Sequence, residues 1–230
     1  MLGVLINTIA VIFGSGIGMM CKKGIPEKMA NAVVKVLGAF VLCTGITGIF
    51  KWENSLVLLI SIVLGTVIGE LIDIDAGITK LGKMLERNNR SDSGVFTQGF
   101  VTATLLFCVG AMGVVGSIQA GTAGDNTTLY AKSLPDGIEA VMLTATLGIG
   151  VLASAGCVLL VEGGIVLLSG LLAPVLTSTM IAEMTCVGSL MIIILGLNIM
   201  DITKFRVANC LPAIVLAPFV SILFTILGIG

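Results

Sequence analysis

The amino-acid sequence predicts an all-α fold: a polytopic transmembrane helix bundle of roughly seven or eight spans, with one broken or re-entrant segment. The whole chain, residues 1–230, reads as a single integral membrane domain. Three observations predict it. Apolar residues make up 57% and charged residues 11% of the chain, and mean hydropathy is +1.16, whereas soluble domains carry about 25% charged residues. Apolar runs long enough to cross a bilayer alternate with short polar connections. Within those runs, glycines and small polar residues recur at helical spacing, which suits helices packed against helices. The stretch 97–121, TQGFVTATLLFCVGAMGVVGSIQAG, shows this best. It is uncharged, Gly110, Gly113 and Gly116 keep near one face, and Thr97, Thr104, Cys108 and Ala111 keep to another. It is placed as one central span.

Composition also excludes function classes. There is no histidine, which removes Ser-His-Asp triads, HExxH zinc sites and histidine proton relays. The six cysteines form no CxxC and lie mostly in apolar runs, so they read as small buried hydrophobes, and the eleven methionines read as core filler. No metal site, cofactor or enzyme activity is expected. A net charge of −1 and the lack of a basic run give nucleic acid no surface.

The first span is 2–20. Its charges, Lys22 and Lys23, follow the apolar run, unlike a signal peptide, so it is expected to be retained with the N-terminus outside. Asn7 lies within it, as interhelical glue or a solute contact, and Gly14 and Gly18 make a small-xxx-small pair. Pro26 opens an interfacial start to a second span near 33–50, and Lys22, Lys23, Lys28 and Lys35 mark the cytoplasmic side. Trp52, in the connection 51–54, is placed as the outer interfacial anchor. The third span, 55–73, carries Gly65, Gly69 and, near its inner end, Glu70, which either reaches the interface or faces an internal cavity. An amphipathic helix at about 74–90, with Lys80, Lys83, Arg87 and Arg90, is expected to lie on the cytoplasmic surface.

After the central span, residues 119–136 read as a long outer loop that lines a vestibule, re-enters or is solvated. Ser133 or Asp136 is expected to cap the next helix, with Glu139 one turn on. Residues 137–175 read either as two spans broken around Ala153–Gly156, or as one long helix with a re-entrant piece after Gly163–Gly164. The distribution of basic residues favours two spans. Glu162 lies among apolar residues with no Lys or Arg near it in sequence. It is therefore protonated, hydrogen-bonded across helices, or facing water or a cation. A span at 179–200 carries Glu183 and Asn198. The last begins near Val207 with Asn209 and Pro212, the proline freeing the Ala208 carbonyl. Segments 37–50 and 187–200 are similar enough to suggest a weak internal repeat.

The motifs FVTATLLFCVGAMGVVGSIQAG, KSLPDGIEAVMLTATLGIGVLASA, EMTCVGSL and VANCLPA resemble the bacterial inner-membrane family known as domain of unknown function 554, the YdfK- and YqgA-like proteins. The resemblance covers nearly the whole chain. It implies a polytopic protein of the bacterial plasma (inner) membrane and no settled activity. Asn7, the Gly69-Glu70 pair, Gln98, Gly99, Asp136, Glu183 and Asn209 match its pattern. Glu162 departs from it, where glutamine is expected, and so does Glu139, where a small polar residue is usual.

The functional expectation is a transporter or channel for a monovalent cation or small polar solute, because polar and ionisable residues sit inside an otherwise apolar bundle. Asn7, Glu70, Gln98, Thr102, Asp136, Glu162, Glu183 and Asn209 are its candidate binding residues. The alternative is a non-transporting assembly or sensor component whose polar residues only hold helices together. An intramembrane enzyme is the weakest of the three readings. The expected partners are the lipid bilayer and, through small-residue faces, further copies of the chain.

Overall fold

A computed structural model of the chain describes residues 1–22, 27–50, 53–87, 95–108, 111–172, 174 and 176–227, without the side chains of 22, 27, 30, 31, 81, 82, 85–87 and 111. The expectations placed on Lys23, Pro26, Lys51, Trp52, Arg90 and Gly110 lie outside the described residues. Among the described residues the structure is helical throughout: α1 (Leu2–Lys22), α2 (Glu27–Ile49), α3 (Ser55–Ile72), α4 (Ile74–Arg87), α5 (Val95–Cys108), α6 (Ala111–Thr122), α7 (Thr127–Leu147), α8 (Gly150–Leu172), α9 (Ser178–Ile199) and α10 (Leu211–Ile226). A 3-10 turn, Val207–Cys210, leads into α10. Among the described residues six helices are long and apolar enough to cross a membrane, and the count is seven if α5 and α6, bent by 56°, make one span. Large apolar side chains such as Phe13, Met20, Leu71 and Leu160 remain exposed, as lipid-facing surfaces require. The chain divides into two compact units, Met1–Leu37 with Ile78–Ala173, and Gly38–Gly77 with Pro174–Gly230.

In the first unit, α1 and α7 run parallel and in contact along their length. Asn126 Oδ1 accepts the Gly3 N–H at 2.9 Å at one end. Towards the other end, a methyl on Gly14 or Gly18 would collide with the carbonyls of Gly137 and Val141, so the small-xxx-small pair sets how closely the backbones approach. At about 1.5 Å per residue α7 is about 30 Å long. It runs beside α1 over a similar length, with Lys132, Asp136 and Glu139 among its residues. α8 runs parallel to the α5–α6 pair: Gly150 meets the Phe96 carbonyl, and Gly121 meets Ser169 and the Val166 carbonyl.

Three expectations are corrected here. The stretch 97–121 is not one straight span but two helices at 56°. The outer loop is short, because α6 runs to Thr122 and α7 already begins at Thr127. Ser133 and Asp136 therefore lie inside α7 and cap nothing. Asp125 supports the helix start instead, its Oδ1 accepting the Thr127 N–H at 2.9 Å and hydroxyl at 2.6 Å. Residues 137–175 divide between the end of α7 and α8, and the break falls at Gly148, whose φ of 79° closes α7 through its N–H to the Thr144 carbonyl. Glycine takes that left-handed φ at no steric cost, whereas Ala153–Gly156 and Gly163–Gly164 lie within an unbroken α8.

In the second unit, α3 and α10 pack antiparallel. Gly65 sits on Ala213 and Gly69 on the Asn209 carbonyl, while Val57, Val220 and Phe224 form a buried cluster. Residues 38–49 of α2 lie antiparallel on α9, with Gly38 against the Gly196 carbonyl and Gly45 against that of Ser189. The two segments whose similarity suggested a repeat are thus packing partners. Pro212 stands in the first turn of α10, where proline is tolerated. The Ala208 carbonyl accepts the Leu211 N–H, so it is not left free. α4, which the division between the units crosses after Gly77, has the expected amphipathic pattern.

Candidate functional site

The buried stripe of α7 reads Leu129, Lys132, Ser133, Asp136, Ala140, Leu143, Thr144 and Leu147. Three- and four-residue steps hold these on one helical face, so a cation and an anion one turn apart point into the unit together. Lys132 and Asp136 form an ion pair across that turn. The Lys132 ammonium also stands 3.3 Å from Glu162 Oε1 on α8. From α1, Asn7 Nδ2 donates to Asp136 Oδ2 at 3.0 Å and to Glu162 Oε1 and Oε2 at 3.0 and 3.2 Å. All four side chains are buried: Asn7 0%, Lys132 4%, Asp136 6% and Glu162 1% exposed.

The amide orientation follows from chemistry, since only an NH₂ can face two carboxylate acceptors. That spends the donors of Asn7 and leaves its Oδ1 without a hydrogen-bond partner among the described residues. With all three groups ionised, one ammonium against two carboxylates leaves a net single negative charge. α6 crosses the cluster at Gly113, where a methyl would lie 3.3 Å from Glu162 Oε1 and 3.4 Å from Lys132 Cε. One turn towards the start of α1, Val4, Ala120, Leu129 and Val166 form an apolar layer across α1, α6, α7 and α8. One turn the other way, Val11, Ala140 and Val158 are fully buried on α1, α7 and α8. Asn7 lies roughly 7 Å along α1 and Asp136 roughly 13 Å along α7. A charged layer thus sits between two apolar ones.

The structure brings Asn7, Asp136 and Glu162 together and places the other five candidates elsewhere. Glu183 is fully buried in the second unit, where its Oε1 accepts the backbone N–H groups of Glu53 at 3.2 Å and Asn54 at 2.8 Å. It holds the start of α3. Asn209 Oδ1 accepts the Asp75 N–H at 2.7 Å and holds the start of α4 in the same way. Glu70 is partly exposed, 3.9 Å from Arg206, which also lies 3.5 Å from Asp73. Its exposed carboxylate does not face an internal cavity. Gln98 is exposed on α5, and Thr102, though buried there, is not among the side chains bonded in the cluster.

The family model described as "Protein of unknown function (DUF554)" matches residues 2–222. The chain belongs to that family. It is similar to the "Uncharacterized membrane protein YdfK" of Bacillus subtilis (strain 168), 29% identical over 233 residues and covering 100% of this chain and 99% of the relative. It is also similar to the "Uncharacterized protein YqgA" of Escherichia coli (strain K12), 31% identical over 229 residues and 97% of each chain. No solved structure matches it.

In this member of the DUF554 family, sequence reasoning missed Lys132, the counter-ion that Glu162 lacked. Gly, Thr and Asn around it suggested a loop over 119–136, with Ser133 or Asp136 as the cap of the next helix. The signal was present, because Lys132 and Asp136 stand four residues apart in register with Leu129, Ala140 and Leu143. That pattern continues a helix through the proline.

Proposed function

We propose that this protein is a transporter or channel that passes a cation across the bacterial inner membrane, using the cluster of Asn7, Asp136 and Glu162 as its binding site. One observation carries the reading: a buried, net-negative group of side chains with an unpartnered amide oxygen, held between apolar layers of a membrane bundle. Charge at that depth costs several kcal/mol or more and is retained where it serves a pathway. Carboxylate and amide oxygens are ligands for hard cations. No catalytic role is proposed. The test is flux of sodium and potassium into liposomes holding the purified protein. Cation-dependent uptake that Asp136→Ala and Glu162→Ala abolish supports the reading; a tight bilayer with wild-type protein and neither cation moving ends it.

The second reading, an assembly or sensor component, is favoured by the second unit, where Glu183 and Asn209 serve as helix caps. The N-terminus is proposed to lie outside, because Lys28, Lys35, Lys80, Lys83, Lys204 and Arg206 then all fall on the cytoplasmic side. A topology reporter fused at residue 1 checks this. Self-association is proposed through small-residue faces: Gly16, Gly156, Gly164 and Gly170 have open space where a side chain would be. Mass measurement in native detergent decides it.

A further inference from the structure

The candidate site contains its own cation. The Lys132 ammonium pairs with Asp136 and stands 3.3 Å from Glu162 Oε1, which places it between the oxygens that a small metal cation would seek. Alone among the four side chains, it is a positive charge on a long flexible stem, able to withdraw by rotation about single bonds. Its helix favours such movement. Pro135 lies inside α7 between Lys132 and Asp136, so the Ala131 carbonyl loses its usual helical donor. Gly137 follows two residues later, and α6 presents Gly113 rather than a bulkier side chain over the lysine stem.

An ammonium and an alkali ion each carry one positive charge, so one can stand in the other's place with the net charge of the buried cluster unchanged. The amide also has a part, since the unpartnered Asn7 Oδ1 becomes a third oxygen ligand once the side chain turns over. The hard oxygen set of Asp136, Glu162 and Asn7 suits an alkali ion.

We infer that Lys132 is a tethered competitor for the transported ion: its ammonium occupies the place of a monovalent alkali cation and must leave before that cation binds. This rests on the transport reading above. The experiment compares wild-type protein with Lys132→Met and Lys132→Arg, full-length. Sodium or potassium chloride is titrated against choline chloride, reading both liposome flux and thermal stabilisation in detergent. The pH is held the same for all three proteins. Lys132→Met is expected to lower the half-saturating alkali concentration about tenfold or more. Lys132→Arg, a fork that grips both carboxylates and cannot retract as readily, is expected to raise it. An unchanged or higher half-saturation in Lys132→Met, with wild-type flux intact, overturns the competitor and leaves transport standing. If Lys132→Met does not fold, an unchanged half-saturation in Lys132→Arg overturns it equally. No alkali-dependent flux or stabilisation in any of the three removes both.

Discussion

Lys132 Nζ stands 3.3 Å from Glu162 Oε1, tying α7 to α8 with both side chains withdrawn from their surroundings. Removing one partner of such a pair leaves the other charge buried, at a cost of about 3–5 kcal/mol. Lys132→Ala should therefore unfold at markedly lower denaturant in mixed micelles. Lys132→Met combined with Glu162→Gln should recover much of the loss, because the double change leaves fewer bare charges. Arg206→Ala, which breaks contacts of half-exposed groups with Glu70 and Asp73, should cost no more than about 1 kcal/mol. Equal losses for Lys132→Ala and Arg206→Ala would contradict the burial argument.

Close glycine contacts give a second expectation. A methyl on Gly69 would run into the Asn209 carbonyl, whereas one on Gly16 meets nothing within 4 Å. Backbone cannot give way as a flexible side chain can, so Gly69→Ala should cost about 1–3 kcal/mol. Gly16→Ala should be neutral or stabilise α1 by up to about 1 kcal/mol, through helix propensity. Unfolding of the two variants side by side checks the contrast, and a tolerated Gly69→Ala would mean that α3 and the Val207–Cys210 turn are not in backbone contact.

The particular residues show where sequence pattern sufficed. Long apolar runs with embedded glycines gave the spans, because their length and spacing are properties of one helix at a time. Asn7 and Glu162 were recognisable as costly intramembrane groups for the same reason. What could not be read was partnership. Glu183 and Asn209 have the composition of binding residues, yet Glu183 accepts two backbone N–H groups and Asn209 one, all far away in sequence, a relation created only by packing. Lys132 was hidden by Pro135, a helix breaker by propensity that tertiary contact along α1 overrides.

Asp125 supplies a pH test away from the membrane-spanning helices. The Thr127 hydroxyl and N–H hold its carboxyl below the ordinary aspartate value, chiefly through the side-chain bond. A lowered folded value means that this support of the α7 start is fully present above the unfolded value and is lost as pH falls through the folded one. Carbon-13 titration of the Asp125 carboxyl should give a midpoint below that of a peptide spanning residues 120–130, and Thr127→Val should bring it back up. Coincident midpoints in protein and peptide would refute the cap.

Glu183 separates holding from transport. Its Oε1 accepts two backbone N–H groups at the start of α3, so Glu183→Ala removes the acceptor of two part-buried bonds. A typical hydrogen bond contributes about 0.5–1.5 kcal/mol and one to a charged group about 1.5–3, so the variant should be less stable. Glu183→Gln keeps a carbonyl oxygen in place and should retain most of that stability. The residue lies in the second unit, whereas Asn7, Asp136 and Glu162 lie in the first. Folded Glu183→Gln protein should therefore carry cation at a rate near wild type, while Asp136→Asn, equally conservative, should not. A Glu183→Gln variant that folds as wild type but moves no cation would place this carboxylate on the ion's path instead of at a helix start.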